Sequence, residues 1–307
     1  MGEITNLAGV IRVHGAAQGD KTALILGERS LTWSELRDRS ARAAQGLLAA
    51  GVAEQERVAF LDKNGFEHFE IMFGAAMINA VCVDVNWRLA APEVEFIVND
   101  TEAKVLVVGP DFVPILDAIA DNLTHVTTVV VIGGHERFHD YEEWITSFDP
   151  IDPGTDSALD DVAFQLYSSG TTGRPKGVML TNANFFSLLP MAKELWELTP
   201  DSVNLVAMPL FHIAGGGWAV AGMYEGCTSI IFRDLDPVAL VATIAEHRIT
   251  HALLVPVALQ FVLMVPGVAD AYFSSLEVMV YGASPFSEDV LSKCVELFKP
   301  CKFWQAY

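Results

Sequence analysis

The sequence predicts an α/β protein made of two doubly wound, αβαβα-type subdomains, and three observations carry that expectation. Short β-branched runs of strand length alternate with amphipathic helical stretches along almost the whole chain. Runs such as 104–108 and 128–132 are near-continuously apolar, as strands buried on both faces require. The 307 residues are 51% hydrophobic and 19% charged, too apolar for a disordered chain and long enough for two cores.

The first clear helix opens at Thr32-Trp33-Ser34-Glu35, where Thr32 can cap and Glu35 completes a capping box. Leu36, Ala43, Ala44, Leu47 and Leu48 recur at helical spacing, and Gly51 supplies the stop. A strand at 57–61, a helix at 65–79 and a strand at 81–85 follow, and Ala91-Pro92-Glu93 starts another helix. After the strands at 104–108 and 128–132 the composition changes. From 133 to 160 Gly, Pro, Asp and Ser dominate, and Asp152, Asp156, Asp160 and Asp161 sit among Pro150, Pro153 and Gly154. That stretch reads as a solvated linker, dividing a first subdomain, 1–155, from a second, 156–307. Alternation then resumes with strands at 162–167 and 178–180, a helix from 182, a strand at 203–208 and an apolar helix. A strand at 228–232 precedes a helix at 236–247, for which Asp236-Pro237 is a cap followed by proline at the first helical position. Strand 251–255, helix 256–265, strand 277–281, helix 286–298 and strand 302–305 close the chain.

Composition excludes several classes of function. Lys and Arg total 19 against 39 Asp and Glu, a formal net charge of −20, which argues against nucleic acid and against docking on anionic lipid. Cys82, Cys227, Cys294 and Cys301 form no CxxC pair and lack zinc-finger spacing to His, so structural zinc is not expected. They fit reduced core thiols, and the expected setting is cytoplasmic. Residues 1–14 lack a basic start followed by a long apolar core, so no signal peptide is indicated. Residues 203–224 and 249–269 carry no Asp, Glu, Lys or Arg, and each is as long as a membrane span of roughly 20 residues. Pro209 and Gly215 to Gly217 interrupt the first; Pro256, Gln260 and Pro266 interrupt the second. Both read as strand, turn and helix of a soluble chain without a transmembrane segment.

One string is highly informative: Tyr167-Ser168-Ser169-Gly170-Thr171-Thr172-Gly173-Arg174-Pro175-Lys176-Gly177, between two expected strands. Small residues leave backbone amides unshielded, hydroxyls add donors, and Lys176 adds a point charge for phosphate oxygens. A Walker loop would need Gly-Lys followed by Ser or Thr entering a helix; neither register gives that, and a strand follows. The simplest alternative is a solvated surface loop.

Residues 168–177 resemble the signature phosphate loop of the adenylate-forming, AMP-binding enzymes. Further resemblances follow in family order. They are Thr32-Trp33-Ser34-Glu35-Leu36, Pro209-Leu210-Phe211-His212-Ile213-Ala214-Gly215, Tyr281-Gly282-Ala283-Ser284-Pro285 and Gln305-Ala306-Tyr307. The overall character is similar to bacterial fatty-acyl-CoA ligases. The resemblance implies two packed α/β subdomains without the family's barrel and C-terminal domain. It also implies a two-step reaction. A carboxylate attacks the α-phosphate of ATP to give acyl-AMP and pyrophosphate, and the thiol of CoA then displaces AMP. Ser168 to Lys176 would hold the β- and γ-phosphates, with Ser168 near magnesium. Gly282, Ala283 and Ser284 would lie on the adenine side, Tyr307 would stack on the ring, and Gln305 and Ala306 would sit beside it. Lys176 and His212 are the implied catalytic residues. His212 is either a group near the substrate carboxylate or a hydrogen-bonded core histidine. Three successive glycines at a helix start cost roughly 1 kcal/mol each relative to Ala. Gly215 and Gly216 therefore leave space for an acyl chain or for close helix packing. Trp218 is a candidate tunnel gate, with core packing as the alternative, and Tyr281 joins the expected acyl side.

The resemblance further implies that the Thr and Glu completing the magnesium site, and a mobile domain with another catalytic lysine, lie beyond Tyr307. The chain is therefore expected to be the N-terminal part of a synthetase, inactive or impaired alone, with that C-terminal domain as its partner. Homodimerisation stays open. Two rival readings remain: a nucleotide- or acyl-binding fragment without turnover, and an adenylation domain loading a carrier protein. Residues 211–224 offer no acid to meet an α-amino group, which favours an apolar acyl substrate over an amino acid. His247 and His251 straddle a helix end and a strand, so a shared metal is not expected, and Met264 and Met279 read as core filler.

Overall fold

The structure, a computed structural model, describes residues 4–168 and 174–306. In chain order the elements begin with α1 Leu7–Ala17, β1 Thr22–Leu26, β2 Arg29–Thr32, α2 Trp33–Ala49, β3 Arg57–Leu61, α3 Phe66–Met77 and β4 Val81–Asp84. They continue with α4 Ala91–Asp100, β5 Val105–Val108, α5 Val113–Ile119, β6 Thr128–Val131, β7 His139–Asp140, α6 Tyr141–Thr146, β8 Val162–Ser168, β9 Lys176–Thr181 and α7 Asn182–Trp196. The last are β10 Val203–Val206, α8 Ile213–Tyr224, β11 Thr228–Ile231, α9 Pro237–Glu246, β12 His251–Leu254, α10 Pro256–Leu263, β13 Val278–Gly282, α11 Glu288–Leu297 and β14 Lys302–Ala306.

Two compact units result, Met1–Lys21 with Thr32–Leu188, and Thr22–Leu31 with Leu189–Tyr307. The first holds a seven-stranded sheet in the order β7-β6-β5-β3-β4-β8-β9. Its pairs are parallel except β8 with β9. The second holds a seven-stranded sheet, β14-β13-β12-β10-β11-β1-β2, parallel from β14 through β1. Neither closes into a barrel, and both have the doubly wound order expected of strand–helix alternation.

The division differs from the boundary expected at 155/156. It falls inside α7, because β8 pairs with β4 and β9 with β8, so the strands flanking the Ser/Thr/Gly string complete the first sheet. In the other direction, residues 22–31 leave the first unit because Leu24 pairs with Ser229 of β11. The segment expected to be a solvated linker is partly structured. β7 and α6 lie within it, with Tyr141, Trp144 and Ile145 buried, and Asp152 is paired with Arg12 at 2.7 Å.

Local chemistry explains the elements that position the site. At α2 both halves of the capping box form: Glu35 N–H donates to Thr32 Oγ1 at 3.2 Å, and Thr32 N–H to Glu35 Oε2 at 2.8 Å. Gly74 lets α3 approach α2 closely; a Cβ there would stand 2.8 Å from Ala43 Cβ. At α9, Asp236 accepts from Ala239 N–H at 2.8 Å ahead of Pro237. The two membrane-like stretches resolve into β10 with α8 and β12 with α10. No helix among the described residues is long and apolar enough to cross a membrane. All four cysteines are free and buried.

Candidate functional site

In the first unit β8 runs parallel to β4, so the Ser/Thr/Gly string leaves the carboxyl edge of the sheet and returns along antiparallel β9. Ser168 and Lys176 are register partners and both are exposed. An ammonium and a hydroxyl therefore flank the mouth of the loop, an arrangement suited to an anion. The Ser168 hydroxyl is one hard oxygen donor of the kind magnesium takes beside phosphate and water, and it fits a partial site. Ser169, Gly170, Thr171, Thr172 and Gly173 lie outside the described residues. One step back along β8, the Tyr167 hydroxyl donates to Asp100 Oδ2 at 2.6 Å. Burial and that carboxylate push the Tyr167 hydroxyl above its ordinary pKa, so it stays protonated. No spacing rule links residues 100 and 167, and Asp100 is invisible as a partner in the sequence.

In the second unit β10 lies between β11 and β12, where the direction of winding reverses. The crevice beyond the carboxyl ends of strands at such a switch point is where doubly wound sheets bind ligands. The loop after β10 runs through Pro209 to His212, and His212 caps α8 from an exposed position. Its Nδ1 accepts from Ala214 N–H at 3.1 Å, which puts the proton of the neutral ring on Nε2. His212 is thus not a core histidine. Gly215 is set by backbone: a Cβ there would stand 2.1 Å from the Pro209 carbonyl oxygen and 2.5 Å from that of Met208. Gly216 is buried in the same turn. Trp218 is also buried, with its Nε1–H donated to the Leu205 carbonyl at 3.0 Å and its ring edge-on to Trp196 at 5.4 Å.

At the same carboxyl edge β13 and β14 bring two motifs into register, Tyr281 opposite Gln305 and Gly282 opposite Ala306. Tyr281 is half-buried, 5.2 Å from Phe286 and 6.2 Å from Phe303 between ring centroids. A Cβ on Gly282 would lie 1.9 Å from the Ala306 carbonyl oxygen, so the neighbouring strand demands glycine there. Ala283 then leaves the strand at φ +65°, a left-handed conformation uncommon for alanine. Ser284 and Gln305 are exposed, Ala306 is half-buried, and Tyr307 lies outside the described residues.

The sheet orders define a chain of the doubly wound α/β class, with the motifs set at the carboxyl edges of its strands, where that class binds its ligands. The chain belongs to the AMP-binding enzyme family, matched over residues 11–307. It is 34% identical over 312 residues to a fatty acid–[acyl-carrier-protein] ligase, ScoC, of Streptomyces coeruleorubidus, covering 99% of this chain and 58% of that protein. It is 33% identical to a feruloyl-CoA synthase of an Amycolatopsis species, covering 90% of this chain and 54% of the other. Among solved structures, the inhibitor-bound N-terminal domain of FACL13 from Mycobacterium tuberculosis superposes with a TM-score of 0.91 at 28% identity. That likeness covers 98% of this chain and 75% of that one. The chain spans little more than half the length of the curated relatives it matches.

Proposed function

We propose that this chain supplies the N-terminal part of a ligase that activates a fatty acid as acyl-AMP and passes the acyl group to CoA. The supporting observation is α8, Ile213–Tyr224, which starts at His212 beside the switch point and carries no charged residue. Such a wall suits an apolar acyl chain better than a polar acid. In this reading Ser168, Lys176 and the loop between them bind the ATP phosphates. Magnesium, when bound with ATP, neutralises phosphate charge next to the Ser168 hydroxyl. Gly282, Ala283, Ser284, Gln305, Ala306 and Tyr307 form the adenine side, and Tyr281, Gly215 and Gly216 border the acyl side. His212 has one ring nitrogen committed to its cap, so Nε2–H meets the substrate carboxylate. A cytoplasmic setting and a C-terminal domain of the same enzyme belong to this reading.

A second acceptor is favoured by the relative named as a carrier-protein ligase: the acyl group would then pass to a carrier-protein thiol. The test is thermal melting of the chain with non-hydrolysable acyl-AMP analogues from acetyl to palmitoyl. It is followed by acyl transfer to CoA or to a carrier protein in the enzyme containing this region. Ligand at 100 times its Kd adds about 2.7 kcal/mol. Stabilisation that grows with acyl length supports the fatty-acid reading; stabilisation only by aryl analogues refutes it. Analogue binding without turnover identifies a binding fragment.

A further inference from the structure

Side chains two apart on a strand face the same side of a sheet, and on β4 this aligns Cys82 with Asp84. α3 lies against that side and contributes His68 from its first turn. His68 Nε2 is 2.8 Å from Asp84 Oδ1, and Cys82 Sγ is 3.5 Å from the same oxygen. One ligand atom from each of the three falls within 4.8 Å of the others. The residues are 2%, 1% and 3% exposed in the order His68, Cys82, Asp84. Phe60 and Phe69 stand edge-on to the imidazole at 5.2 and 5.3 Å, so aromatic rings line it.

A hydrogen-bonded His–Asp pair with a thiol donor accounts for only part of this cluster. Asp84 Oδ2 and His68 Nδ1 are buried and have no hydrogen-bond partner among the described residues. A lone pair on a buried carboxylate calls for a cation or a donor. The donor set, one cysteine sulfur, one imidazole nitrogen and one carboxylate, is the mixed set that suits zinc. Zinc bonds of about 2.3 Å to sulfur and about 2.0–2.1 Å to nitrogen and oxygen give tetrahedral edges of roughly 3.5 Å for S···O and 3.4 Å for N···O. The observed S···O separation of 3.5 Å already fits such an edge. The N···O separation of 2.8 Å must open by roughly 0.6 Å, within reach of side-chain rotation.

We propose that His68, Cys82 and Asp84 form a buried site for one zinc-class divalent ion in the first unit. The ion takes the place of the hydrogen bond between His68 Nε2 and Asp84 Oδ1, the ring keeping its one proton on Nδ1, the Cys82 thiol releases its proton to solvent, and water or Asp84 Oδ2 takes the fourth position. The ligand order, with gaps of 14 and 2 residues, matches no finger or ribbon spacing. The sequence-based expectation against structural zinc tested only those spacings.

The test uses the whole chain, stripped with chelator and titrated with Zn²⁺ and, as a spectroscopic probe, Co²⁺. The expected result is one ion per chain, a thiolate-to-cobalt charge-transfer band and a zinc-dependent rise in Tm. Cys82→Ala removes the band and weakens binding by more than about 100-fold, since loss of a ligand exceeds the 10–100-fold cost of losing its outer partners. Cys227→Ala, a change at another buried thiol, leaves both unchanged. Asp84→Asn keeps the size of the side chain and loses zinc stoichiometry, which gives a second test should Cys82→Ala not fold. No stoichiometric ion in the native chain, or a cobalt band that persists in Cys82→Ala, overturns the proposal, as does unchanged stoichiometry in Asp84→Asn.

Discussion

Replacing Gly282 with alanine separates two explanations for a glycine in the motif proposed to form the adenine side. If the glycine exists only to leave room for adenine, the free protein tolerates a methyl group and only ligand binding suffers. The structure gives a different cause. The added Cβ would lie 1.9 Å from the Ala306 carbonyl oxygen and 3.0 Å from its carbonyl carbon, so backbone must move by more than an ångström. β14 is the terminal strand of its sheet and can be pushed aside, at the expense of its parallel pairing from Val278–Lys302 to Gly282–Ala306. Overpacking of this kind costs about 1–3 kcal/mol. For a protein of this size that is a Tm fall of roughly 2–10 °C in the absence of any ligand. Gly282→Ala is therefore expected to melt early while free, and to lose acyl-AMP binding because Gln305 and Ala306 move with the strand. Differential scanning calorimetry of the free variant decides the matter. An unchanged Tm together with lost binding would refute the steric origin and return the glycine to the ligand.

Three other outcomes are expected. Lys176→Ala, at an exposed position, leaves the stability of the free chain within about 0.5 kcal/mol of native but abolishes stabilisation by ATP and acyl-AMP analogues; calorimetry with and without ligand checks both. His212→Ala removes the acceptor for Ala214 N–H and costs about 0.5–2 kcal/mol, whereas His212→Asn restores the cap and the Tm. Both variants impair adenylate formation by the complete enzyme if Nε2–H meets the carboxylate, and a rate that survives in His212→Asn limits the residue to capping. His251 is held below its ordinary pKa of 6.5, first by burial, with Glu277 pulling the other way. The unfolded chain therefore takes up a proton that the folded chain refuses. Stability is complete above about pH 6.5 and declines as pH falls below it, and Tm measured from pH 8 to 5 should fall less in His251→Gln.

Local rules were legible wherever the cause is local. Thr32 with Glu35, Asp236 with Pro237 and the strand Arg57–Leu61 all follow from neighbours within a turn or two. What sequence could not show was which strand pairs with which. Thr22–Leu26 joins β11 some two hundred residues away, through Leu24 opposite Ser229, and neither segment carries a mark of the other. Composition misplaced the boundary for a related reason. Gly, Pro and Asp report exposure and turning, and residues 133–160 have both, yet Asp152 is held by Arg12 and Trp144 fills the space at Gly46.

The motifs were legible as strings but not as causes. Gly215 and Gly282 sit where ligand-based reasoning asks for space, yet in each case the atom that forbids a side chain is a backbone carbonyl of this chain. His212 likewise carries a structural duty through Ala214 before any chemical one. The same three residues thus shape the carboxyl edge of the second sheet, closing the turn after β10 and locking β13 to β14. A change at any of them alters fold and site together. Loss of activity alone therefore assigns none of them a chemical role, and only variants that keep the structural contact, such as His212→Asn, separate the two duties.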